Sequence, residues 1–312
     1  MKIHSSIETF TGKKPVVATG IFDGVHPGHV ALLRRVVELA SEAGSESVVL
    51  TYMPHPRLVL NQDPDKLRLL TSLNEKVKMI AAIGVNHLIV LPFTLELASL
   101  NAETFIKEML INRLDIGTLL VGYNHRFGKG GVTIEELMLL SNKLGFAFDQ
   151  FRRIDMGNQH PSSTKIRNML TEGNIKGANA LLGYPYLLTG RVVNGSQRGR
   201  TLGYPTANVV PADLLKLVPP NGVYACMVNV SGKNYGGMLN IGICPTFNSC
   251  ENSRSIEVHI FDFNKNIYSE EIEISFIDRI RNEMKFSTTE ALCNQMKNDE
   301  KAVRSILETM IE

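Results

Sequence analysis

Residues 16–29 read Val-Val-Ala-Thr-Gly-Ile-Phe-Asp-Gly-Val-His-Pro-Gly-His. The first four form a short apolar run of strand character, and the last four open what reads as a helix. A strand that turns through glycine-bearing sequence into a helix is the opening unit of a parallel α/β sheet. The same unit has chemical value. A helix N-terminus leaves backbone N–H groups unpaired and carries positive dipole potential, so it readily holds phosphate. His26 and His29, three apart with Gly28 before the second, would add two donors there. This points to an enzyme that uses a nucleotide.

Working outward, the pattern keeps alternating. Helices are expected over 27–43, 73–83, 101–114 (capped by Asn101) and 134–144, with strands over 47–53, 87–91, 118–122 and 146–151. Such alternation implies a mainly parallel sheet with helices on both faces, whose ligands bind beyond the carboxyl ends of the strands. After about Tyr184 the pattern changes to short β-rich segments at 187–193, 222–230, 235–241, 255–263 and 272–277, separated by Gly, Pro and Asn. That is the signature of an antiparallel barrel or sandwich. Leu292, Met296, Val303, Leu307 and Met310 then recur at helical spacing. The chain therefore divides into residues 1–184 and 185–312.

Composition narrows the function classes. With 44% hydrophobic and 21% charged residues the chain is a core-forming globular one. No apolar run reaches membrane-spanning length, and residues 1–14 lack a signal-peptide core, so a cytoplasmic location is expected. Net charge is +2, with 20 basic against 17 acidic residues before residue 185 and 13 against 14 after it. Neither part resembles a nucleic-acid surface, so phosphate binding must be local. Cys226, Cys244, Cys250 and Cys293 contain no Cys-x-x-Cys pair, which argues for reduced thiols rather than a zinc site.

Two groups of motifs remain. Gly20–His29, Gly122-Tyr-Asn-His-Arg-Phe-Gly128 and Ser162-Ser-Thr-Lys-Ile-Arg167 fall at strand-to-helix turns of the first part. Taken singly, each has a bland explanation as turn or cap. Together they place hydroxyls and cations at a second helix start, suited to another phosphate grip. In the β-rich part, Gly199-Arg-Thr-Leu-Gly-Tyr-Pro-Thr-Ala-Asn208 contains Thr206 and Asn208, hard oxygen donors able to support magnesium beside phosphate. Period-two geometry over 255–261 puts Ile256, Val258 and Ile260 on one face and Glu257, His259 and Phe261 on the other. Glu257 is the candidate general base there; His259 is expected to pack or hydrogen-bond.

Gly-x-Phe-Asp-Gly-Val-His-x-Gly-His is the signature form of the His-x-Gly-His nucleotidyltransferases. With Pro54-His-Pro56, Gly-x-Asn-x-x-Phe-Gly (122–128), Ser-Ser-Thr-x-Ile-Arg (162–167) and the Pro-Thr-Ala-Asn run, the chain resembles the bacterial bifunctional riboflavin kinase/FAD synthetases. The resemblance implies a Rossmann-like nucleotidyltransferase domain over 1–184 and a Greek-key β-barrel kinase domain with a terminal helix over 185–312. It implies phosphorylation of riboflavin to FMN by magnesium–ATP, then adenylylation of FMN to FAD with release of pyrophosphate. His26 and His29 would hold ATP phosphates, Asn124 would orient a reacting phosphate, and Ser163, Thr164 and Arg167 would grip the triphosphate from another side. Gly20, Phe22, Asp23 and Gly28 would shape that ATP site, with Asp23 organising the loop or helping to place magnesium. In the kinase domain Thr206 and Asn208 would bind the metal, and Glu257 would accept the hydroxyl proton. Gly199, Arg200, Gly203 and Pro205 would form a loop over the nucleotide, and Arg281 would contact flavin or that loop. His125 departs from the family pattern, which usually has an aromatic residue there. Flavins and ATP are the expected partners; nucleic acid and membrane are not, and transient self-association is left open. The alternatives are a riboflavin kinase with impaired adenylyl transfer and a flavin-binding regulator.

Overall fold

The computed structural model describes residues 1–63, 67–122, 128–151, 160–195, 199, 202–243 and 254–309. Contacts divide the chain into two compact units, Met1–Leu67 with Lys76–His160 and Arg68–Glu75 with Pro161–Glu312.

The first unit is built on six strands: β1 (Lys2–His4), β2 (Val16–Thr19), β3 (Ser47–Met53), β4 (His87–Pro92), β5 (Thr118–Gly122) and β6 (Ala147–Phe151). They lie in the order β1-β4-β3-β2-β5-β6, and every neighbouring pair is parallel. Six helices accompany them: α1 (Pro27–Glu42), α2 (Pro56–Val59), α3 (Leu73–Ile83), α4 (Leu95–Ser99), α5 (Ala102–Phe105) and α6 (Ile134–Leu144). Alternation along the strands buries both sheet faces. Val17, Leu50, Leu119 and Val121 meet Phe105, Ile106 and Leu137. Val16, Ala18, Val49 and Leu120 meet Leu33 and Val36 of α1 and Ile80 of α3. The strand order reverses at β2, which pairs with both β3 and β5. That reversal opens a crevice beyond the carboxyl ends of β2 and β5, where such sheets bind ligands. The histidine motif leaves from the end of β2.

One element differs from expectation. Asn101 does cap a helix, its side chain accepting from Thr104 N at 2.8 Å. The helix does not run on in α form to 114, however; after Phe105 it widens into a π-helical stretch over Ile106–Ile111.

The second unit is a closed barrel with helices. Its strands are β7 (Tyr186–Val193), β8 (Ala207–Pro211), β9 (Gly222–Val230), β10 (Lys233–Ile243), β11 (Arg254–Ile260) and β12 (Glu271–Arg281). They close in the order β10-β11-β8-β7-β12-β9, with every pair antiparallel. Strands β9, β10 and β11 follow one another and β12 returns beside β9, which is the Greek-key path. Leu188, Tyr224, Val228, Leu239, Ile256, Val258, Ile274 and Phe276 fill the interior. The Cys226 thiol lies among them and donates to the Gly237 carbonyl; burial pushes its pKa up, so it is an inert structural thiol. Cys244 and Cys250 lie outside the described residues.

Helices α7 (Ser163–Glu172) and α8 (Ile175–Leu182) precede the barrel and belong to the same unit. Ile166, Leu170, Ile175, Ala178, Leu181 and Leu182 share the apolar cluster of the barrel. The packing boundary thus falls at Pro161, earlier than the change in sequence pattern near residue 185. Arg68–Glu75 also packs here, through a buried ion pair. Lys216 Nζ lies 2.6 Å from Glu75 Oε2, also donates to the Leu70 carbonyl, and sits over the Tyr186 ring. The other Glu75 oxygen accepts from Thr189 N at 2.9 Å. A last helix, α9 (Thr289–Glu308), covers an outer barrel patch with Val303 and Leu307.

Candidate active sites

In the first unit, Pro27 at the first helical position presets the start of α1, and His26 is the N-cap. The His26 side chain makes no capping bond, which leaves its ring available. The two imidazoles stack with centroids 3.7 Å apart and an 18° interplanar angle. Phe22 meets His29 edge-on at 5.4 Å. The glycines serve this packing. A Cβ on Gly28 would lie 3.3 Å from the His26 ring, and one on Gly20 would press on Phe22 at 3.0 Å. The turn between them is strained: Phe22 and Val25 have φ of 50° and 35°, which a β-branched residue such as Val25 rarely adopts.

The histidine pair is electrostatically unusual. Burial pushes the pKa of His26 down to about 4, and burial with the neighbouring His26 holds His29 well below the ordinary imidazole range. Both rings are neutral near pH 7. Their Nδ1 atoms are buried and find no hydrogen-bond partner among the described residues. Asp23 is buried beside them, and the buried Lys76 of α3 lies within electrostatic reach of both Asp23 and His29. Sequence reasoning passed over Lys76. The available signal was a lysine sharing the i, i+4, i+7 face of Ile80 and Ile83.

Asn124 and His125 lie outside the described residues. Ser163, Thr164 and Arg167 are found on the first turns of α7 in the second unit, where Ser162 caps the helix by accepting from Lys165 N at 3.2 Å. Arg167 Nε donates to the Arg68 carbonyl at 2.8 Å. The Pro54-His-Pro56 turn also caps a helix: His55 Nδ1 accepts from Arg57 N at 3.2 Å.

The second unit assembles its own polar group on paired strands. In register, Glu257 of β11 stands opposite Asn208 of β8 on one side and Asn240 of β10 on the other. Thr206, just before β8, donates from Oγ1 to Glu257 Oε2 at 3.3 Å. A Cβ at Gly195 would overlap the Asn208 amide, so that glycine makes room for it. His259 hydrogen-bonds, as its position on the strand suggested. Its Nδ1–H donates to the Pro205 carbonyl at 2.8 Å and so fixes the backbone next to Thr206. Gly199 accepts from Leu202 N and Tyr204 N, and Gly203 has φ of 83°, so both shape the turn leading into this site. Arg200 lies outside the described residues.

A cleft of about 350 Å³ opens against Thr206, between Pro205 and Ala207 on one wall and the 263–268 loop on the other. Phe263, Lys265 and Tyr268 line it, and the sequence reading had missed that loop because it carries no recognisable motif. Among the described residues no group of three or more His, Cys, Asp or Glu side chains could hold a metal by itself. The donors here are the oxygens of a threonine and an asparagine, with one carboxylate beside them. That suits a magnesium ion that takes most of its remaining ligands from phosphate and water. Arg281 is engaged elsewhere: its guanidinium grips Asp299 of α9 through Nε and Nη2 at 2.7–3.0 Å, and Gln295 completes that carboxylate.

Comparison with known proteins finds a different family over each part of the chain. A family described as FAD synthetase matches residues 10–165, and one described as riboflavin kinase matches residues 182–307. The bifunctional riboflavin kinase/FMN adenylyltransferase of Listeria monocytogenes is 36% identical, over 97% of this chain and 96% of its own. That of Bacillus subtilis is 38% identical over 93% and 92%. The chain belongs to the bifunctional riboflavin kinase/FMN adenylyltransferase family. It is a flavin-synthesis enzyme with two transferase activities, one for each family region. The fold also matches, across 97% of this chain and 98% of the other, a crystal structure from Streptococcus pneumoniae with a TM-score of 0.87 and 33% identity. That protein is described as a macrolide-efflux protein. Among the described residues here, no helix is long and apolar enough to cross a membrane.

Proposed function

We propose that residues 1–184 carry out adenylyl transfer at the His26–His29 pair and that residues 185–312 phosphorylate riboflavin at Thr206, Asn208 and Glu257. The kinase half rests on one observation above all: Thr206 Oγ1 lies 3.3 Å from Glu257, which stands opposite Asn208 in the strand ladder. Thr206 and Asn208 would hold magnesium together with the ATP phosphates. When bound, that ion neutralises charge on the transferred phosphoryl group. Glu257 accepts the proton of the ribityl hydroxyl as its oxygen attacks the γ-phosphorus, whose bond to the bridging oxygen breaks to release ADP. Gly199, Arg200, Gly203 and Pro205 form the loop over the nucleotide, with His259 holding Pro205 in place. The resemblance assigns Arg281 to flavin or that loop, whereas its ion pair with Asp299 favours a role in docking α9.

Adenylyl transfer needs no such base. The FMN phosphate is already an anion, and its oxygen attacks the α-phosphate of ATP in line while pyrophosphate leaves. Neutral His26 and His29 are donors to the phosphates, and unpartnered buried nitrogens support that use because their unmade bonds are costly until a ligand arrives. Gly20, Phe22 and Gly28 hold the rings in their stack, and Asp23 organises the turn. The family motifs imply phosphate-binding roles for Asn124, Ser163, Thr164 and Arg167. Dependence on ATP and free flavins supports a cytoplasmic location.

The decisive test is incubation of the full chain with magnesium–ATP and riboflavin, followed by chromatographic separation of riboflavin, FMN and FAD. Successive appearance of FMN and then FAD is expected. FMN without FAD would leave a kinase alone, and flavin binding without ATP consumption would leave a regulator.

A further inference from the structure

We propose that Lys76 is a further phosphate-binding residue of the adenylyltransferase site, where its ammonium holds the triphosphate and then the leaving pyrophosphate against the His26–His29 pair. The inference rests on the reading of that pair as the adenylyltransferase site.

Two lysines are buried among the described residues, and they are treated very differently. Lys216 is 4% exposed and has a carboxylate, a carbonyl and an aromatic ring around its ammonium. Lys76 is 7% exposed, and its side chain makes no hydrogen bond or ion pair among the described residues. A buried ammonium is costly unless it is paired. Burial accordingly lowers the pKa of Lys76, while the Asp23 carboxylate works against that shift and favours the charged form.

The surroundings identify what kind of ligand would complete the pairing. Lys76 heads the face of α3 that continues into Ile80, and Ile80 packs in the same apolar cluster as Phe22 and Leu33 of α1. This fixes the lysine on the side of α3 that faces the histidine helix. The groups in its electrostatic reach are Asp23 and His29. His26 and His29 each bury an Nδ1 without a partner among the described residues. A cation, two neutral imidazoles and the N-terminus of a 16-residue helix form a site for an anion with several oxygens. Neutral imidazoles supply direction but no charge, so the lysine is the cation of this group.

In the reaction, an FMN phosphate oxygen forms a bond to the α-phosphorus. The bond from that phosphorus to the bridging oxygen breaks, and its electron pair leaves with pyrophosphate. Lys76 gains and loses no proton; it donates hydrogen bonds to oxygens whose negative charge grows as that bond breaks.

The test compares Lys76→Met and Lys76→Arg with the parent full chain in three assays: FAD formation from FMN, binding of inorganic pyrophosphate by titration calorimetry, and FMN formation from riboflavin. Methionine suits the buried position, so the fold should survive. K76M is expected to lower kcat/KM for FAD formation by ~10²–10³-fold and to weaken pyrophosphate binding at least tenfold. K76R should recover most of both, and FMN formation should stay within about twofold. FAD formation by K76M within about threefold of the parent, with unchanged pyrophosphate binding, would overturn the proposal. So would a parallel loss of FMN and FAD that K76R does not restore, because that marks a structural lysine. If the parent itself made no FAD, the reading of the site would fail instead. Pyrophosphate binding by parent and K76M would then still decide whether Lys76 holds phosphate.

Discussion

The two candidate sites solve related problems with opposite chemistry. In the first unit the proposed functional groups are two imidazoles at one helix start, stacked and neutral, each with a buried Nδ1 that has no partner among the described residues. In the barrel they are oxygens on or beside paired strands, with Thr206 already hydrogen-bonded to Glu257 and Asn208 opposite it in register. The difference follows from the nucleophiles. A phosphate anion needs only to be aimed and to have its leaving group stabilised, which donors can do. A ribityl hydroxyl must also lose a proton, so that site needs a carboxylate. The scaffolds suit each task. A helix N-terminus concentrates N–H donors at a point, whereas strand register sets oxygens side by side at fixed spacing.

That contrast can be broken at its strongest point first. Glu257→Gln keeps the shape of the side chain and its hydrogen bond with Thr206 but removes the proposed base. FMN formation should slow ~10²–10⁴-fold while FAD formation from supplied FMN continues. Near-normal phosphorylation of riboflavin would take Glu257 out of the mechanism. The reciprocal change, His29→Ala, should cut FAD formation by ~10²–10³-fold and let FMN accumulate. Equal loss of both products would mean that the two sites do not act independently.

The neutral histidines give the comparison a pH signature. In the unfolded chain His26 takes up a proton near pH 6.5; in the fold it does so only at about 4. Between those values the folded state binds fewer protons than the unfolded one, so stability falls as pH falls. The loss attributable to His26 amounts to about 3 kcal/mol and is complete below pH 4. His29 pulls in the same direction. Urea unfolding from pH 7 to 4 should show this decline, and His26→Gln should flatten it. An unchanged acid slope in H26Q would show that His26 is not held neutral.

Legibility in the sequence followed the range of each signal. Period-two and helical spacing are local, so β3 and α3 were placed residue for residue, and the change to β-rich spacing marked the barrel. The three-residue β1 was too short to show a period. The membership of α7 and α8 in the barrel unit was hidden, because their apolar faces look alike whichever core they join. Glu75 and Lys216 are 141 residues apart, and nothing local marks either as buried. In the sites, motif residues were legible because glycines and histidines at fixed spacing are rare. Lys76 was not, because a single lysine in an amphipathic helix ordinarily reads as solvated.

Arg281 tests the barrel side most finely. Sequence resemblance placed it near flavin or its loop, yet its fork lies on Asp299, a carboxylate 3% exposed on α9. A planar guanidinium can bond both oxygens at once, which an ammonium cannot. Arg281→Lys keeps the charge but loses one of those bonds, so it should destabilise the docking of α9 by about 1–2 kcal/mol. The melting temperature should fall by a few degrees, with a modest drop in kinase rate and little change in KM for riboflavin. A direct flavin contact predicts the reverse: a raised KM for riboflavin at unchanged melting temperature. Measuring both on one variant therefore decides whether Arg281 serves the substrate or holds the helix that closes over the barrel wall behind it.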